Sequence, residues 1–411
     1  MKNFFLSFFD GRRPSVARVF QTAFVTYAGM GLSLVSAPLL ARTLGPDGRG
    51  VLAGAFVSTQ ILSWVAFLGL PRGLAIQQKK HSTISGVGVI LVALLGPASA
   101  ILAIFTADLI SNGDERIAIG IRIGALVLIL SGVSQIGIEL VLVQGRLWPF
   151  NFVRIATLVL PSLAYIVAFL TGTLTLEVAF SITFLGNVLS TVIGCAYAIP
   201  AIHRARREPV PWNFSLRLWF TAAFDSVGGR LDQLLLTALS PAAVLGMYAV
   251  AVTCASASGG LTQALNHVTY SRFAKSETTV NAHALMRQRT VYGAILSMVV
   301  AIPVLLVVVF FGEALFGNGY HNLPFVTAIL VVSQFLNDQW QLRVYMDSAA
   351  EDPRALAIAS ALGLLSMGLS AWAFYSFGIL GGIQMAICVV FFGAVRLAAR
   401  ALFRRRNELR Q

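Results

Sequence analysis

Three charged residues fall close together in one apolar segment: Asp225, Arg230 and Asp232, in Phe224-Asp225-Ser226-Val227-Gly228-Gly229-Arg230-Leu231-Asp232. A guanidinium offers five donors suited to a phosphate or a carboxylate. Two carboxylates on one helix face can share a proton, or pair with an arginine from another helix. Each such charge costs ~2.5–3.5 kcal/mol at the centre of a membrane helix, so it faces protein or a water-filled cavity rather than lipid. That cavity is where function is expected.

The elements that hold these residues follow from composition. The chain has 411 residues, 57% hydrophobic and 11% charged, against about 25% charged in a soluble domain. It therefore reads as an integral membrane protein. Apolar runs of about 20 residues recur, which fits helices rather than barrel strands. Twelve spans are expected near 19–41, 50–71, 84–107, 118–143, 152–171, 177–199, 218–239, 242–265, 291–311, 322–345, 355–377 and 380–400. The amino-terminal region shows no cleavable leader pattern, because Asp10, Arg12 and Arg13 interrupt the apolar stretch Phe4–Phe9; the first span is expected to act as an uncleaved signal.

Charge placement sets the orientation. Of the 30 Lys and Arg, 25 fall at the termini and in the loops after even-numbered spans, against Arg42, Arg49, Arg116 and Arg122 on the other side. By the positive-inside rule both termini are expected to be cytoplasmic; the resemblance described below implies a bacterial inner membrane. The basic segment His203-Arg204-Ala205-Arg206-Arg207-Glu208-Pro209 divides the spans six and six. The expected organisation is a six-helix lobe over 1–200, a linker over 201–217 and a second six-helix lobe over 218–411. The linker's charge, like the net +13 of the whole chain, reads as an anchor to anionic membrane lipid rather than a nucleic-acid site. The halves look like parallel repeats: Leu44-Gly45-Pro46-Asp47-Gly48-Arg49-Gly50 after span one is echoed by Leu239-Ser240-Pro241-Ala242-Ala243-Val244-Leu245-Gly246 after span seven.

Polar residues within spans form stripes at helical spacing. Span one carries Arg18, Thr22, Thr26, Gly29, Ser33 and Ser36 on one face. Span seven carries Asp225, Ser226, Gly229, Arg230, Asp232, Gln233 and Thr237. Span ten carries Thr327, Gln334, Asn337, Asp338, Gln341 and Tyr345, and span four Ser131, Gln135 and Glu139. Ser, Thr and Gly also serve helix packing, which needs no Asp or Arg. Arg230 lies thirteen residues beyond Arg217, or about 20 Å into a hydrocarbon core of about 30 Å, too deep to snorkel. Arg18 and Arg72 stand at the cytoplasmic mouth. Glu139 is either a proton or cation site or the partner of one of those arginines. The cavity-facing candidates for substrate are thus Arg230, Arg18, Arg72, Gln233, Ser226, Thr22, Thr26, Ser33, Asn337 and Gln341. The candidates for a coupling H+ or Na+ are Asp225, Asp232, Glu139 and Asp338.

Several classes are disfavoured. No phosphate-binding Gly-rich loop occurs. The three cysteines and five histidines show no disulfide or metal spacing. No cofactor, metal or catalytic residue is assigned, and the chain is not expected to be an enzyme. A membrane-embedded glycosyl transferase, polymerase or ligase would need acids on the outer face. Asp108, Asp114 and Glu115 are the available ones, in a short loop where a solvated face is the default.

Two stretches carry a family resemblance. One runs Ala41-Arg42-Thr43-Leu44-Gly45-Pro46-Asp47-Gly48-Arg49-Gly50 to Leu68-Gly69-Leu70-Pro71-Arg72-Gly73. The other runs Arg230-Leu231-Asp232-Gln233-Leu234-Leu235-Leu236 to Gly246-Met247-Tyr248-Ala249-Val250-Ala251. With the six-plus-six layout, they resemble the Wzx-type O-antigen and exopolysaccharide flippases of the multidrug/oligosaccharidyl-lipid/polysaccharide exporter superfamily. The resemblance implies an all-α membrane fold of two pseudo-symmetric six-helix bundles in a V. It implies transport of a polyprenyl-diphosphate-linked oligosaccharide, with a polysaccharide polymerase and export machinery downstream. The superfamily's drug exporters are the nearest alternative, and Asp225, Asp232 and Asp338 suit them.

Overall fold

The computed structural model describes residues 14–273, 279–349 and 354–408, with backbone only at some positions. The stretch Phe4–Arg13, read above as lacking a cleavable leader pattern, and the side chains of Arg18, Thr22 and Thr26 lie outside the described residues.

Long apolar segments in lipid must satisfy every backbone group internally, and helices do so. The described chain is accordingly helical: α1 (Pro14–Val65), α2 (Leu70–His81), α3 (Gly86–Ile110), α4 (Glu115–Ala125), α5 (Leu128–Val143), α6 (Leu147–Arg154), α7 (Leu160–Leu170), α8 (Leu176–Ile202), α9 (Trp212–Gly228), α10 (Leu231–Leu239), α11 (Ala242–Phe273), α12 (Thr279–Phe316), α13 (Leu323–Ala349), α14 (Arg354–Ser376) and α15 (Gly382–Glu408). A π-helical turn, Ile155–Val159, joins α6 to α7.

Among the described residues, eight stretches are long and apolar enough to cross a membrane, or nine if the α4–α5 pair, bent by 48°, is one span. Two features separate this from the expected twelve. Spans one and two are joined in one stretch, Tyr27–His81, with the chain turning at Gly45 (φ +66°) inside α1, a conformation that costs glycine nothing. The expected spans seven and ten, α9–α10 and α13, are too polar to qualify, because they carry the charged and amide stripes.

The chain packs into two compact units. One holds the residues up to Ser36, Ala66–Leu102 and Gly124–Leu216; the other holds Ala37–Val65, Ala103–Ile123 and the residues from Arg217 onward. The core of the first gathers Phe67, Leu70, Leu74, Val92, Ile136 and Ala198. Small residues let its helices touch: a Cβ on Gly137 would lie 1.9 Å from the Gly194 carbonyl oxygen. A Cβ on Gly29 would meet that of Leu158 at 2.9 Å, so the span-one stripe is a packing face at that point.

In the second unit the two repeated turns interlock. A Cβ on Gly50 would lie 1.7 Å from the Ala242 carbonyl oxygen, and one on Gly246 1.8 Å from that of Pro46. Each glycine thus admits the other repeat's backbone. Arg116 ties the first turn down, bonding Asp47 and Asp114 at 2.7 Å each. With Asp108 paired to Arg122 at 2.7 Å, two of the three acids weighed for an outer-face catalytic site are held in ion pairs.

Candidate functional site

Span seven is not one helix. α9 ends at Gly228, Arg230 takes a non-helical conformation (φ −140°, ψ −7°), and α10 begins at Leu231. The Gly228-Gly229 pair is the local cause, since neighbouring glycines stiffen a helix least. The break corrects the continuous stripe expected here: Asp225 and Asp232 sit on different helices with different partners. Asp232 lies in the first turn of α10, where the helix dipole favours a carboxylate. Its Oδ1 accepts the Gln233 backbone N–H at 2.8 Å and its Oδ2 accepts the Tyr248 hydroxyl at 2.6 Å.

Asp225 is held by α13, α14 and α15. Its Oδ1 accepts from Trp340 Nε1 and Ser360 Oγ, both at 3.3 Å, and lies 4.0 Å from Arg396 Nη1. Arg396 is only 4% exposed. Its guanidinium stacks over Trp340 and Phe392, 4.9 and 4.4 Å from the ring centroids, and donates to Asn337 Oδ1 at 2.7 Å. Two aromatic faces and one carboxylate thereby stabilise a buried cation.

These groups line a cavity of about 170 Å³, whose wall includes Asp225, Asp232, Gln334, Asn337, Gln341 and Arg396. Two carboxylates and one guanidinium leave it one negative charge when all are ionised. Liquid water takes ~30 Å³ per molecule, so the space suits a few waters or a small ion. Asn337 and Gln341, placed among the substrate candidates by sequence, belong to this small site. Asp338 is on the same helix with other partners: Gln334 Nε2 at 2.8 Å and Ser297 Oγ at 3.3 Å.

Arg230 is separate. Its side chain is exposed and makes one long hydrogen bond, Nη1 to Gln233 Oε1 at 3.4 Å. Gln233 is buried and Ser226 half-buried beside the same break. In the first unit, Glu139 lies 3.9 Å from Arg72, whose side chain is largely exposed. Ser33 is half-buried in α1.

Sequence reasoning missed Arg396 and Arg400, which it counted as flanking cytoplasmic charge. Both are buried in α15, and Arg400 forms a two-pronged ion pair with Asp347 at 2.6 and 2.7 Å. Their i, i+4 spacing in an apolar helix was the available signal.

The chain is similar in fold to several solved transporters. The inward-facing conformation of a multidrug resistance MATE family transporter of the MOP superfamily matches with a TM-score of 0.68 at 13% identity, covering 92% of this chain and 94% of that one. The inward closed conformation of the lipid II flippase MurJ matches with a TM-score of 0.69 at 14% identity, covering 94% and 87%. A MOP superfamily transporter from Pyrococcus furiosus, described as having a binding pocket of reverse polarity, matches with a TM-score of 0.53 at 13% identity, covering 95% of each chain. No curated protein matches at the level of sequence. The family model described as "Polysaccharide biosynthesis protein" matches residues 15–277. With an all-α, multi-pass membrane fold of the MATE and MurJ kind, the chain belongs to the polysaccharide biosynthesis protein family.

Proposed function

We propose that this protein is a flippase that moves polyprenyl-diphosphate-linked oligosaccharide repeat units across the bacterial cytoplasmic membrane by alternating access, for surface polysaccharide such as O-antigen or exopolysaccharide. Both termini are cytoplasmic in this reading. The carrying observation is Arg230: an exposed guanidinium with one long side-chain hydrogen bond among the described residues, at a break between two half-helices of a membrane segment. Broken helices are a recurrent way to bring unpaired polar groups to a transport site. A guanidinium there neutralises diphosphate charge through paired hydrogen bonds. Membership of a polysaccharide biosynthesis family supports the glycan as cargo. Gln233 and Ser226, beside the same break, supply further polar contacts in this reading. The small cavity of the second unit serves the coupling H+ or Na+ in this scheme, with Asp232 and Asp225 as its acids and Asp338 as a neighbouring acid on α13.

The test is export of polysaccharide by an Arg230→Ala strain with unchanged protein level. A charged hydrogen bond is worth about 1.5–3 kcal/mol, so transport falls at least about tenfold. Arg230→Lys retains part of it. Full export by Arg230→Ala contradicts the role.

A second reading, a cation-coupled exporter of drugs or metabolites, is favoured by the MATE-type fold and the net negative cavity. It predicts altered sensitivity to cationic dyes on deletion, with unchanged glycan.

A further inference from the structure

The basic segment between α8 and α9 is fastened to the first unit rather than hanging from it. Arg206 pairs in parallel with Ser85: its N–H donates to the Ile84 carbonyl at 3.0 Å and its carbonyl accepts from the Gly86 N–H at 2.8 Å. Gln77 Nε2 donates to the Pro209 carbonyl at 3.0 Å, and Ser85 Oγ to the Glu208 carbonyl at 2.7 Å. Gly73 is a glycine for the same reason, since a Cβ there would lie 2.0 Å from Ser215 Oγ.

This docking merges two basic runs distant in the chain. Lys79 and Lys80 end α2, and Arg204, Arg206 and Arg207 follow α8; all five are exposed. The acid between them, Glu208, is half-buried and accepts the Thr83 hydroxyl at 3.4 Å. The surface sits where α3 begins and α8 ends, at one end of the membrane helices, and Trp212, 38% exposed, borders it. Tryptophan at such a boundary marks headgroup depth.

We propose that Lys79, Lys80, Arg204, Arg206 and Arg207 form one docking surface for anionic phospholipid headgroups of the cytoplasmic leaflet. The occupant follows from charge and position: five cations held on a fixed backbone, beside an aromatic residue, at the level where anionic headgroups lie. A flexible polybasic tail binds the same lipids, but here the backbone hydrogen bonds have already ordered the segment, so less entropy is lost on binding.

The full chain is solubilised from membranes of phosphatidylcholine containing about one-fiftieth phosphatidylglycerol, and the retained lipids are counted by mass spectrometry. Wild type is expected to retain phosphatidylglycerol about tenfold above its bulk share, a preference that weakens with salt as screening shortens. K79Q/K80Q/R204Q/R206Q/R207Q abolishes the enrichment. R404Q/R405Q/R406Q, which removes three charges at the other end of the chain, preserves most of it. Should the five-fold variant not fold, K79Q/K80Q alone, which touches none of the docking hydrogen bonds, lowers the enrichment severalfold. Enrichment unchanged in these variants, or lost equally in the tail variant, overturns the proposal.

Discussion

Arg230, at the break between α9 and α10, and Arg396, inside α15, are both arginines within apolar segments of the second unit, and they are opposites. Arg396 is 4% exposed, stacked between two aromatic rings and bonded to Asn337 beside Asp225. Arg230 is exposed, with one long hydrogen bond to its own helix. The first charge is enclosed by the fold, and the second faces outward with Asp232 as the acid whose charge it feels. A charge that packing has not used is the one available to a ligand, so position within a membrane segment alone does not mark a binding residue.

Substitutions should separate the two. Arg396→Met leaves the half-buried Asp225 without the cation 4.0 Å away and Asn337 without its donor, a change that costs about 1–3 kcal/mol as lost polar partners do. The expected result is a drop in the thermal unfolding temperature of the purified protein, partly restored by adding Asp225→Asn. A fall that the second substitution does not restore would mean that stacking, not charge, makes Arg396 important. Arg230→Met should leave stability within about 0.5 kcal/mol, as for an exposed site, while transport is lost.

Two glycines sharpen the same contrast. Gly246→Ala drives a methyl group into the Pro46 carbonyl and should cost about 1–3 kcal/mol or more, as overpacking does. At Gly229 a Cβ would meet only Asp225 and Ser226 carbonyls, at 3.4 and 3.7 Å, so Gly229→Ala should change stability by less than about 1 kcal/mol. Equal losses would show that the break, not the interlocked turns, limits stability.

The smallest effect belongs to a third arginine, Arg116, which is exposed yet bracketed by Asp47 and Asp114. The guanidinium hydrogen-bonded to Asp114 holds that carboxyl below its ordinary range. Its contribution is therefore complete above about pH 4 and fades as pH falls through the lowered value. Arg116→Gln should cost no more than about 1 kcal/mol, as exposed pairs do, and should flatten the acid limb of a stability profile.

The membrane class and the helical runs were legible in the sequence because apolar length is a one-dimensional signal. Asp225, Asp232, Gln334, Asn337 and Gln341 were legible as a polar set because charged and amide groups are costly in lipid, and they do meet on one cavity wall. Arg396 was not, because a basic residue near the end of a last span looks like a flanking charge until its partner on another helix is known. The break at Gly229 and Arg230 was signalled only by paired glycines, which helices also tolerate. The 3.9 Å approach of Glu139 to Arg72 joins two helices and could not be read from either alone.

The most direct measurement is leaflet-resolved analysis of lipid-linked glycan in cells lacking this protein, complemented with wild type or with Arg230→Ala. The flippase account predicts polyprenyl-diphosphate-linked oligosaccharide accumulating on the cytoplasmic face in the deletion and in the Arg230→Ala strain, and clearing with wild type. The same intermediate reaching the outer face without this protein, with no redundant flippase present, would contradict it.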